Sequence, residues 1–159
     1  PSKNMVIRNC TVKNGHQLLA VGSELSGGIE NILIDNCVAE DKASLFHLLF
    51  IKTNERRGGY VKNIIMNNIK ANEVRNGVLG IETDVLYQWK DLVPTYERRL
   101  TPISDVSLTN VQLKKGNFMS RIMGQEEEPV KNVSLINVKV DSLLGEQMIH
   151  ENVIGFKMD

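Results

Sequence analysis

Apolar and polar residues alternate along this 159-residue chain in a pattern that recurs five times. The copies start at Asn4, Asn31, Asn63, Asp105 and Asn132, in steps of 27, 32, 42 and 27 residues, and a representative one reads Asn31-Ile32-Leu33-Ile34-Asp35-Asn36-Cys37. Counted from each start, positions +1 and +3 are apolar in every copy. Position +5 is always Asn (Asn9, Asn36, Asn68, Asn110, Asn137), and positions +6 and +8 are apolar again. Alternation with period two marks a strand with one buried face. The parity of the buried positions switches across the Asn, which predicts a bend there, in the left-handed conformation that Asn tolerates. Stacked one above another, the five amides can bond along their column as a ladder.

A second apolar strand follows each copy: Leu18–Val21, Leu48–Ile51, Val78–Ile81, Phe118–Ile122 and Met148–Ile149. Each repeat is then a coil of two or three short strands, with successive coils stacked in parallel. The predicted fold is an all-β, right-handed, single-stranded parallel β-helix of about five coils, its hand following the general crossover rule. A leucine-rich-repeat horseshoe has an overlapping period, but its Leu-x-x-Leu-x-Leu signature is absent and β-branched residues dominate. At about 4.8 Å per coil the stack is roughly 24 Å long.

Residues 1–159 are expected to form one domain. The 42-residue step carries an inserted loop over 85–103, which holds the only Trp of the chain (Trp89), Pro94 and Pro102. Residues 146–159 are expected to be a closing half-coil or cap. Solenoid ends need covering, since a bare end exposes backbone and interior. Nothing before Asn4 can do this, so the stack is expected to be truncated at its N-terminal end. Upstream coils, or a second chain, would cover that edge.

Composition mainly excludes. Nineteen Lys and Arg balance nineteen Asp and Glu, so no basic field invites nucleic acid. No apolar run approaches the roughly 20 residues of a membrane-spanning helix. Cys10 and Cys37 share a column of adjacent coils and are expected to be free and buried, as small apolar fillers. The spacing of His, Cys and acids suggests neither zinc nor calcium, and no cofactor is expected.

Candidate chemistry is concentrated in two stretches. One runs Gly15-His16-Gln17 to Gly22-Ser23-Glu24-Leu25-Ser26-Gly27-Gly28, and the other Phe50-Ile51-Lys52-Thr53-Asn54-Glu55-Arg56-Arg57-Gly58-Gly59. Together they resemble glycoside hydrolase family 28, the polygalacturonases, and in particular its exo-acting branch. That family carries, in chain order, Asn-Thr-Asp, Asp-Asp, Gly-His-Gly and Arg-Ile-Lys on one groove of a pectin-lyase-like β-helix. The resemblance implies an acidic polysaccharide or oligogalacturonide as partner, inverting hydrolysis, and a secreted or periplasmic full-length protein.

It further implies that His16 orients or tunes the catalytic acids and that Lys52 holds a galacturonate carboxylate. Ser23, Glu24, Tyr87 and Arg57 are the other expected substrate contacts. Each has a plainer reading: a turn histidine for His16, a solvated lysine for Lys52, a loop-packing tyrosine for Tyr87, loop surface for Arg57. His47 and His150 have no motif around them and read as core or surface.

The chain departs from the family where Gln17 replaces the second glycine and Phe50 the arginine. Both acidic motifs are expected upstream of His16, and the first fifteen residues contain no Asp or Glu. Glu82-Thr83-Asp84 offers two acids on one strand face but lies downstream, against the family's order. The chain thus looks like the C-terminal coils of such an enzyme, inactive alone. The alternative is a non-catalytic β-helix module for sugar binding or assembly.

Overall fold

The computed structural model describes residues 1–85 and 97–159. Its described strands are β1 (Ser2–Arg8), β2 (Thr11–Val12), β3 (Gln17–Gly22), β4 (Ile29–Ala39), β5 (Leu45–Lys52), β6 (Val61–Glu82), β7 (Ile103–Gly116), β8 (Phe118–Met123), β9 (Val130–Leu143), β10 (Met148–Glu151) and β11 (Val153–Met158). Pairing is parallel throughout. One set of ladders runs β1-β4-β6-β7-β9-β11; the other joins β3, β5, the end of β6, β8 and β10. This is the right-handed parallel β-helix expected from the repeat. The second set coincides with the five apolar segments anticipated after each template.

The repeat sets the register. Ile34, Met66, Leu108, Leu135 and Met158 align in successive coils, as do Cys37, Ile69, Val111 and Val138. From Ile34 to Leu135 the first of these columns is fully buried, and it forms part of a single core running along the solenoid axis. Burial of such side chains, each stabilising by about 1.5–3 kcal/mol, is the main force holding the coils together.

The bend sits where the parity switch requires it. Asn9, Asn36, Asn68, Asn110 and Asn137 all have positive φ, between 51° and 57°. Asn36 Nδ2 donates to Asn9 Oδ1 at 2.8 Å, Asn110 to Asn68 at 3.3 Å and Asn137 to Asn110 at 2.7 Å. One rung is diverted: Asn68 donates to Asp35 Oδ1 at 2.9 Å instead of to Asn36.

A second left-handed column, not anticipated from sequence, coincides with the template starts: Asn4, Asn31, Asn63, Asp105 and Asn132. Asn31 donates to Asn4 and Asn63 to Asn31, both at 2.9 Å, while Asn132 donates to Asp105 at 3.1 Å. A carboxylate has no hydrogen to give, so Asp105 cannot continue the ladder back to Asn63. In the last coil Gly155 (φ 75°) takes this place beside Asn132.

At the ends, β10 pairs with β8 and β11 with β9, and Phe156 aligns with Val133. In the first coil Met5 aligns with Ile32 but is 42% exposed, against 3% for Ile32. Cys10 and Cys37 are free and Cys37 is buried as expected, but Cys10 is exposed, contrary to expectation, because it lies on the first coil of the stack. Burial raises the Cys37 thiol pKa above its ordinary value. Most of the loop expected over 85–103 lies outside the described residues.

Candidate functional site

The second sheet positions the sequence-predicted residues at two separate edges. His16 immediately precedes β3, is exposed, and meets the Phe46 ring edge-on at 6.1 Å. Lys52 closes β5 at the other end of the same sheet, its ammonium 5.7 Å from the centre of the Phe50 ring. Six strand positions separate Phe46, the neighbour of His16, from Lys52, or roughly 20 Å at about 3.3 Å per residue. The structure therefore does not bring His16 and Lys52 into contact.

The edge at Lys52 gathers most of the remaining candidates. Gly22 aligns with Lys52, and with φ 113° it lets the chain pass so close that a Cβ there would collide with the Lys52 carbonyl. Ser23 follows in a left-handed turn (φ 43°), its amide donating to the Lys52 carbonyl at 2.9 Å. From the next coil's loop, Arg57 pairs with Glu24 at 2.7 Å. Its charge is thereby offset by Glu24 rather than added to that of Lys52. Arg98 ties neighbouring loops together, reaching Glu55 at 2.9 Å and Glu127 at 2.7 Å. Tyr87 lies outside the described residues.

Between the two edges runs a groove of about 450 Å³ that sequence reasoning missed, lined by Gln17, Phe46, His47, Phe50, Asn76, Glu82, Phe118 and Arg121. It is within the size range of small-ligand sites, roughly 300–1,000 Å³. Leu48 and Leu49 are both fully buried, which interrupts the alternation of β5. His47 and Phe50 consequently stack face to face, ring centres 4.4 Å apart and planes 9° from parallel. Phe118 approaches the imidazole at 5.8 Å.

Two glycines make room for these rings. Added Cβ atoms would strike Phe118 from Gly77, and His47 and Phe50 from Gly80. Gly80 aligns with Phe50 on one side and Arg121 on the other. Arg121 forms an ion pair with Glu82 of the adjacent coil.

His47 is neutral at pH 7. Burial pulls its pKa from 6.5 down to about 4, and the charge of Arg121 pushes the same way. Its Nδ1 lies 3.0 Å from Gln17 Oε1, which also accepts the His47 amide hydrogen at 2.8 Å. An amide oxygen only accepts, so the imidazole proton is assigned to Nδ1. Nε2 then faces Asn76 Nδ2 at 3.5 Å. The signal overlooked in the sequence was the column Phe50, Gly80, Arg121, where two large side chains flank a glycine.

His150 lies inside the last coil, where its Nε2 is 2.7 Å from Ser120 Oγ and Phe156 covers it. Ser120 is fully buried, so this serine–histidine pair has a packing role. Glu82 is engaged by Arg121 and Asp84 lies beyond the end of β6. Among the described residues no group of three or more His, Cys, Asp or Glu could hold a metal ion. No helix in the described residues is long and apolar enough to cross a membrane.

Fold and groove together define a parallel β-helix with an aromatic-lined groove on one sheet, and comparison with known proteins gives its family. The model for glycosyl hydrolases family 28 matches residues 1–155, and the chain belongs to that family. It is 26% identical over 146 residues to a probable polygalacturonase of Vitis vinifera, covering 88% of this chain and 28% of that protein. The solved hyperthermoactive exopolygalacturonase of Thermotoga maritima superposes with a TM-score of 0.76 at 25% identity, over 97% of this chain and 34% of that one. The chain thus spans about a third of the length of these relatives.

Proposed function

We propose that this chain supplies the C-terminal coils of a polygalacturonase that cleaves galacturonan with inversion, and that it binds the polymer without cleaving it alone. Residues 1–159 act as one β-helix unit, with 85–103 as an inserted loop and 146–159 as its closing half-coil. The observation carrying this reading is the acid inventory of the groove. Inverting hydrolysis needs two carboxyl groups roughly 6.5–9.5 Å apart, one to protonate the leaving oxygen and one to activate water. Among the described residues lining the groove Glu82 is the one acid, and it is held by Arg121. The catalytic pair belongs to coils upstream of Pro1, which would also cover Met5. His16 positions those acids. Lys52 holds a substrate carboxylate as a point charge, and Ser23, Glu24, Arg57 and Tyr87 complete the contacts. The full-length protein works outside the cytoplasm, where pectin is found.

The same scarcity of acids supports a second reading, a sugar-binding β-helix module without activity in any context. Product stereochemistry separates the two. Proton NMR of a longer protein carrying the upstream coils should show, as first product on polygalacturonate, the anomer opposite to the linkage cleaved. Retention of configuration would reject inversion, and absence of any product would favour the binding module.

A further inference from the structure

The groove between the two edges has more structure than a passage along the sheet. Its floor is aromatic: Phe50 and His47 are stacked, with Phe118 one coil beyond Gly77 and tilted 48° to the imidazole. Phe118 is 9% exposed and His47 6%, so these rings are set into the groove rather than loose upon it. Above them stands a guanidinium whose direction is fixed by Glu82. Asn76 and Gln17 contribute amides at the opposite side. His47 adds no positive charge at pH 7, so Arg121 and Lys52 are cations available at this face.

This combination matches one chemical class. A pyranose ring has an apolar C–H face that packs on aromatic rings, and hydroxyls that amides recognise. A carboxylate at C6 would add a partner for Arg121, whose guanidinium has five N–H donors and can take a ligand carboxylate alongside Glu82. We infer that Phe50 and His47, on the strand of Lys52, form a uronate subsite together with Phe118 and Arg121, two coils further along the solenoid axis. Phe118 and Arg121 are its specificity-determining residues. Phe118 selects for a pyranose ring and Arg121 for its acid group. This inference deepens the galacturonan reading and rests on it for the identity of the sugar; it does not depend on hydrolysis.

The test is binding. Trigalacturonate and its neutral galactose counterpart are titrated into the chain, with NMR following the ring protons of Phe118 and His47 and the Nε signal of Arg121. All three should shift with trigalacturonate. Arg121→Gln should weaken trigalacturonate about tenfold, the loss of one charge-assisted contact, and leave the neutral sugar within about twofold. Phe118→Leu, chosen over alanine to keep the core filled, should weaken both sugars by a similar factor. Thermal unfolding of each variant verifies that it is folded; should Phe118→Leu fail that check, the ring shifts of the unmodified chain and Arg121→Gln decide. Trigalacturonate shifts confined to the Lys52, Ser23 and Glu24 edge would overturn the subsite while leaving the galacturonan reading intact. Equal affinity for both sugars in the Arg121→Gln and parent proteins would remove Arg121 as the selector of acid. No shift anywhere with either sugar would overturn subsite and reading together.

Discussion

His47 shows how far a residue's role depends on its neighbours. No motif surrounds it, and the strand pattern alone assigns it to core or surface. What places it beneath the groove is the interrupted alternation at Leu48 and Leu49, a departure that period-two reading smooths over. His16 and Lys52 became candidates through their local sequence context. Their separation was not legible, since it depends on which end of a strand each occupies. The pH response of His47 follows from its burial. Its folded pKa lies below its unfolded value, so the unfolded chain takes up a proton first as pH falls. Its stabilising contribution is complete above pH 6.5 and is lost progressively as pH drops toward 4, up to about 3 kcal/mol for a shift of this size. In urea denaturation, the parent protein should lose about 2 kcal/mol more than His47→Gln between pH 8 and pH 4.5. Equal losses would mean that the imidazole is not held neutral.

At the scale of the element, the left-handed asparagines carry the most information. The column at +5 could be read from sequence because apolar parity switches across it. The column at the template starts escaped, since no strand positions precede it within the template to reveal a change of phase. Asn and Asp at all five starts were the available clue. Each ladder amide has two functions, tolerating positive φ and bonding to the neighbouring coil, and substitution separates them. Asn110 has φ 55°, donates to Asn68 and accepts from Asn137. Asn110→Gly keeps the backbone freedom and loses both bonds, an expected cost of about 1–2 kcal/mol in chemical denaturation. Asn110→Ala also places a Cβ in the left-handed region, adding about 1 kcal/mol. If the two variants are equally stable, the backbone conformation contributes nothing at this bend.

At the scale of the whole molecule, repetition fixed the architecture. Five copies of one pattern, offset by the steps read along the chain, give the observed register from Met5 with Ile32 through Val106 with Val133. The groove was less legible because it is assembled across coils: Phe50, Glu82, Phe118 and Arg121 come from three successive layers, and no single stretch of sequence shows that they meet. Membership of glycosyl hydrolases family 28 and the groove's scarcity of carboxylates lead to one central claim, that these coils hold galacturonan while the cleaving acids lie elsewhere. The most direct test is to incubate this chain alone with polygalacturonate and record bound polymer and new reducing ends in the same sample. The account predicts bound polymer with no increase in reducing ends. Reducing ends that rise with time and protein concentration would contradict it and return Glu82 and Asp84 to consideration as the acid pair.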